Sequence, residues 1–197
     1  MNPIKKILAF VKKRICWRSY IKNLFRKNGS QIKKTDELLN PQFVNVGRNT
    51  LIFEHSRIMC YKKYCNKEYA PSLVFGNNVI VGPHFTAVIS DRCSIGDNTM
   101  IAHNVSIITS NHGTDISSDK CFREQDLQTK EIFIGNNCWV GCNVVFLPGS
   151  RVGDNCVVAA GAIVNKQFPD NSLIGGVPAK VLKRFNTDKK EWENQLN

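Results

Sequence analysis

No acidic residue precedes Asp36, no run of 18 apolar residues occurs, and only four histidines are spread over 197 residues. Without such a run, no membrane-crossing helix is expected. The opening segment is basic, but Lys12, Lys13 and Arg14 interrupt it before a signal-peptide core develops. Export is therefore not expected, and a cytoplasmic location fits best. The histidines include no His-x4-His pair, and Cys60 and Cys65 lack a second pair at zinc-knuckle spacing, so no metal is expected. Eight cysteines are abundant, yet they read as packing groups in a reduced compartment rather than as a disulfide frame.

The positive charge is confined. Of the 27 basic residues, 11 lie in the first 34 positions, and removing them leaves a body balanced against its 16 acids. A nucleic-acid binder would carry its basic stripe on the folded domain, so no nucleic-acid partner is expected. Within the arm, Ile4, Ile7, Leu8, Val11 and Ile15 recur at spacings of three and four between Lys and Arg. This predicts a basic helical arm over 1–40, with peripheral membrane contact through residues 1–27 or docking on a subunit as its two uses.

The body has a six-residue period. Ile134, Val140, Phe146, Val152, Val158 and Val164 form one unbroken series, and Ile89, Ile95, Ile101 and Ile107 form another. Shorter traces are Val46, Ile52 and Ile58, then Phe75 and Val81. Gly or Ala often follows the anchor, and a small side chain such as Thr50, Cys93, Thr99, Cys138, Ser150 or Cys156 stands four places after it. Six residues fit a short flat strand plus a corner, and three such units close a triangular coil. A single coil cannot bury its own apolar face, so coils must stack. Gly-Asn and Gly-Asp pairs supply the corners. The prediction is an all-β solenoid of roughly five coils over 41–185, with a short helix over 186–197.

Two stretches break the period, 61–74 and the polar excursion 109–132. Loops on a rigid scaffold are where chemistry concentrates. His112, in Asn-His-Gly at the root of the excursion, is the candidate catalytic residue. His55, His84 and His103 fall near corners and read as surface or packing groups.

The string from Ile134 through Cys138-Trp139-Val140-Gly141-Cys142 and Pro148 to Lys166, continuing through Gly175-Gly176-Val177-Pro178-Ala179-Lys180, resembles the hexapeptide-repeat acyltransferases. It is most similar to their maltose, galactoside and polysaccharide O-acetyltransferase branch. The resemblance spans about residues 44–185 and implies a left-handed parallel β-helix, acetyl-CoA as cosubstrate, and a homotrimer. It implies His112 as general base, and Asp115, Gln125 and Trp139 at a saccharide or sugar-lipid acceptor. Gly141, Cys142, Ala160, Lys166, Lys180 and Arg184 would hold the coenzyme. The family's early-coil Asn beside the acceptor has no clear counterpart at Thr86–Ile89.

The implied reaction moves an acetyl group from a thioester to a sugar hydroxyl, in bacterial surface polysaccharide synthesis. An imidazole can take the proton of the attacking alcohol, and a backbone N–H near Gly141 or Cys142 would face the developing oxyanion. Rival readings are a nucleotide-sugar N-acetyltransferase, an antibiotic acetyltransferase, a zinc carbonic anhydrase on the same scaffold, or a non-catalytic scaffold protein.

Overall fold

A computed structural model describes Ser19, Asn23, Phe25, Arg26 and residues 28–194. The expected membrane-binding helix of residues 1–27 lies outside the described residues, those four apart. From residue 31 onward the chain winds into a triangular prism with three flat faces of parallel strands.

The first face stacks Gln31–Ile32, Leu51–Ile52, Ile80–Val81, Met100–Ile101, Trp139–Val140, Val157–Val158 and Ser172–Gly175. The second stacks Thr35–Leu39, Ser56–Cys60, Thr86–Ile89, Ser106–Ile108, Val145–Phe146 and Ile163–Val164. The third stacks Val44–Val46, Ser72–Phe75, Arg92–Ile95, Ile132–Ile134, Arg151–Val152 and Gln167–Phe168. The all-β solenoid is thus as expected, and it is taller than the repeat indicated. Its first coil begins at Gln31, where Gln31 and Ile32 pair in register with Leu51 and Ile52, inside the span assigned to the arm.

The six-residue anchors fill the lumen. Ile52, Val81, Ile101, Val140, Val158 and Ile174 stand in one vertical register, all essentially without solvent access. Each such burial contributes about 1.5–3 kcal/mol over an exposed side chain. The small residues four places on are buried as well, so Cys93, Cys138 and Cys156 are lining. Burial pushes the Cys60 and Cys93 thiols up to about 12, which leaves them unreactive. One series is displaced. Ala87, not Ile89, sits level with Ile58 and Ile107, because an extra turn at Ser90-Asp91 widens that coil. Phe25 belongs to the same core cluster.

The C-terminus differs from expectation. A helix is expected over 186–197, and the described part of that span belongs to a hairpin: Lys180–Asn186 pairs antiparallel with Ser172–Gly175 and then with Glu191–Asn194. An open sheet edge needs a partner, and this hairpin supplies it. Asn186 Oδ1 accepts the N–H groups of Asp188 and Lys189 in the turn, Lys190 adopts positive φ, and Phe185 packs against Trp192 across the pair.

Candidate active site

Both breaks in the period leave the prism at one corner. The first follows Ser56–Cys60 and the second follows Ser106–Ile108, two second-face strands separated by the single strand Thr86–Ile89. The first break forms a hairpin, with Lys63–Tyr64 antiparallel to Lys67–Glu68. The second starts and ends as a ladder, Ser110 opposite Thr129 and Asn111 opposite Gln128. The ladder holds the chain immediately before His112 on the solenoid. Thr109 is buried, and its Oγ1 accepts the N–H groups of Ser90 and Asp91 at 2.8 and 3.2 Å.

His112 is exposed at the end of that ladder, and its ring meets the Tyr64 ring at 5.3 Å in an edge-to-face arrangement. The excursion beyond it is organised around Gln125, which is buried. Gln125 Nε2 donates to the carbonyls of Asp115 and Lys120, and its Oε1 accepts the Asp115 N–H. Gly113 packs so closely on Gln125 that a Cβ there would fall 2.6 Å from Oε1. Gln125 also lines the cavity described below, and these three bonds commit its amide largely to the loop. Asp115 is also turned inward on its own segment. Its Oδ1 accepts the Ser117 hydroxyl and N–H, and these bonds hold its carboxyl below the ordinary carboxylate range.

Between hairpin, excursion and corner lies a cavity of about 710 Å³. Its walls are residues 67–70 and parts of the excursion, 113–115, 118, 120 and 125–129, with Ser90 and Asp91 at the third side. The lining is polar, with Lys67, Glu68, Asp91, Asp115, Lys120 and Asp126 all contributing. The hairpin side of this cavity was not anticipated from the chain. Its only signal there was the missing period at 61–74.

The other expected site residues are distributed. Trp139 is 54% exposed on the first face, opposite the corner that bears His112, so the two do not meet within one chain. Gly141 donates its N–H to the Val158 carbonyl at 2.8 Å and cannot serve as an oxyanion donor. The N–H groups of Cys142 and Ala160 make no hydrogen bond among the described residues, and the Gly161 N–H to Cys142 carbonyl bond stacks these two corners. Lys180 pairs opposite Gly175 beside Ala179, whose N–H reaches the Ile163 carbonyl, near this same corner. Lys166 and Arg184 do not gather with it. Lys166 lies over the Phe168 ring, and Arg184 reaches the Asp170 carbonyl at the opposite corner.

Among the described residues no three His, Cys, Asp or Glu side chains are grouped as a metal would require. His55 instead stacks on His84 at 5.1 Å and meets Asp36 at 3.2 Å.

Residues 131–166 match the model of the bacterial transferase hexapeptide, six repeats. A galactoside O-acetyltransferase of Lactococcus lactis is 30% identical over 167 residues, covering 84% of this chain and 75% of the relative. A putative lipopolysaccharide biosynthesis O-acetyl transferase of Escherichia coli K12, WbbJ, is 36% identical over 127 residues, 61% of this chain and 65% of that one. The N-acyltransferase AntD from Bacillus cereus shares the fold, with a TM-score of 0.63 at 16% identity over 80% of this chain and 81% of AntD. A prism of stacked six-residue units with its long excursion after a central coil is therefore the left-handed β-helix of an acyltransferase. The chain belongs to the hexapeptide-repeat acyltransferases, in the galactoside O-acetyltransferase branch. It is an O-acetyltransferase.

Proposed function

We propose that His112 is the general base that deprotonates a sugar hydroxyl as it attacks the thioester of acetyl-CoA. The observation that carries this reading is the setting of His112: an exposed imidazole that directly follows a hydrogen-bonded ladder and directly precedes Gly113 and Thr114, which line a polar cavity large enough for a saccharide. Proton removal by a held base contributes about 10²–10⁴-fold, and holding both substrates together supplies much of the rest. The attacking oxygen forms the new ester bond, the tetrahedral centre collapses, and the imidazolium returns its proton to the departing thiolate. No acyl-enzyme is needed.

The coenzyme arm runs past the Cys142 and Ala160 corner, where the N–H groups of these two residues make no hydrogen bond among the described residues, with Lys180 as a cation for its phosphates. The acceptor occupies the cavity beside Asp115. The likeness to the lipopolysaccharide O-acetyl transferase WbbJ supports a surface polysaccharide or its lipid-linked precursor as the acceptor class. A homotrimer completes the site, because Trp139 reaches a His112 only when the first face of one copy meets the excursion of the next. The basic arm would bring the enzyme to the inner face of a membrane that carries lipid-linked sugars.

The test is coenzyme A release from acetyl-CoA with galactosides, maltose, nucleotide sugars and lipid-linked saccharides. His112→Ala should lose about 10²–10⁴-fold in kcat while still binding coenzyme A. An unchanged rate would remove His112 from the mechanism.

A further inference from the structure

The hairpin that interrupts the solenoid after Cys60 does more than wall the cavity. Tyr64 Oη donates to the Arg123 carbonyl at 2.6 Å, and Tyr69 Oη accepts the Leu127 N–H at 2.8 Å. These two tyrosines grip the excursion at sequence separations of 59 and 58 residues. The Tyr64 ring also meets the His112 imidazole at 5.3 Å with the planes 69° apart. An edge-to-face contact of this kind is worth about 0.5–1.5 kcal/mol and restricts ring orientation. Desolvation, then the nearby thiols of Cys65 and Cys121, hold the Tyr64 phenol above its ordinary range, so it keeps the proton that it donates to Arg123.

We infer that Tyr64 is a positioning residue: its ring braces the His112 imidazole for proton transfer while its hydroxyl ties the excursion to the hairpin. The inference rests on His112 as general base. His112 is exposed and hydrogen-bonds to no side chain among the described residues, so the aromatic edge is the contact that limits how its ring turns. A misplacement of about 1 Å costs an enzyme about 100-fold, so an exposed base needs such a brace.

The experiment uses the full chain with Tyr64→Phe, Tyr64→Leu and His112→Ala. Tyr64→Leu should lower kcat about 10- to 100-fold with KM for acetyl-CoA unchanged. Tyr64→Phe, which keeps the ring, should recover most of that loss. In protein labelled at histidine with carbon-13, the His112 ring resonance should move in Tyr64→Leu and stay in place in Tyr64→Phe. Tyr64 lies outside the solenoid core, so thermal melting should match the parent in both. An unmoved His112 resonance in a folded Tyr64→Leu protein, or equal kcat in the Phe and Leu variants, overturns the inference. Full activity in His112→Ala would refute the base assignment instead, and the resonance shift would still decide whether Tyr64 sets the imidazole.

Discussion

At one corner of the prism, between the third and first faces, one side chain per level ties two coils together. Asn77 accepts the Arg48 N–H, Asp97 that of Asn77, Asn136 that of Asp97, Asp154 that of Asn136, and Asp170 that of Asp154, all within 2.7–2.9 Å. Among these, Asp97 has its carboxyl held below the ordinary range, chiefly by the Asn77 backbone N–H and then by the Asn77 side chain. A depressed carboxyl stabilises the fold above its unfolded value, and that stability fades as pH falls through the folded value. Asp97→Asn keeps an acceptor oxygen but not the charge. Melting followed by circular dichroism between about pH 4 and pH 2 should therefore fall less steeply in Asp97→Asn than in the parent. Lining hydroxyls differ in the same way. Thr99 Oγ1 donates to the Gly135 carbonyl at 2.8 Å and accepts the Cys138 N–H at 3.1 Å. Ser150 Oγ is buried with no partner among the described residues. Thr99→Val should lose about 1–3 kcal/mol in denaturant unfolding, whereas Ser150→Ala should be neutral or stabilising.

At the scale of elements, the excursion is ordered by its own buried amide rather than by regular structure. Gln125 bridges Asp115 and Lys120 across the loop, and Gly113 leaves it room. Removing the amide strands those backbone groups while the solenoid stays intact. Gln125→Ala should leave the global melting temperature within a few degrees, because the loop is outside the stacked core. It should make the 112–127 segment the first site of limited proteolysis and lower kcat along with it. If Gln125 contacted the acceptor instead, the change would fall on the acceptor KM, with proteolysis unaltered.

Across the whole molecule, the first face is unusual for a surface. Ile80, Met100 and Trp139 stand one above another in register, exposed by 44, 45 and 54%. Val157 follows on the next strand. A continuous apolar strip on a flat face is a partner surface. Trp139→Glu should convert a trimer to monomers in analytical ultracentrifugation, with the solenoid still folded. Transfer activity should fall with it, since the proposed trimer would bring this face to a neighbour's His112. A trimeric, fully active Trp139→Glu protein would place the interface elsewhere.

The sequence by itself determined the prism, because a period of six with small lining residues admits few other ways to bury its anchors. It also marked His112, since Asn-His-Gly interrupts that period with a polar loop. It misread the two ends: Ile32 and Leu38 are six apart and level with Ile52 and Ile58, but two anchors following a basic arm of helical spacing do not announce a coil, and at 180–194 pairing with an open sheet edge decided the strands. The partner of His112 was equally hidden. Tyr64 and Arg123 are 59 residues apart and meet only because two insertions leave one corner a coil apart. Local pattern encodes which residues face inward. Which insertions share a corner depends on how many residues each intervening coil consumes, and stacking sets that.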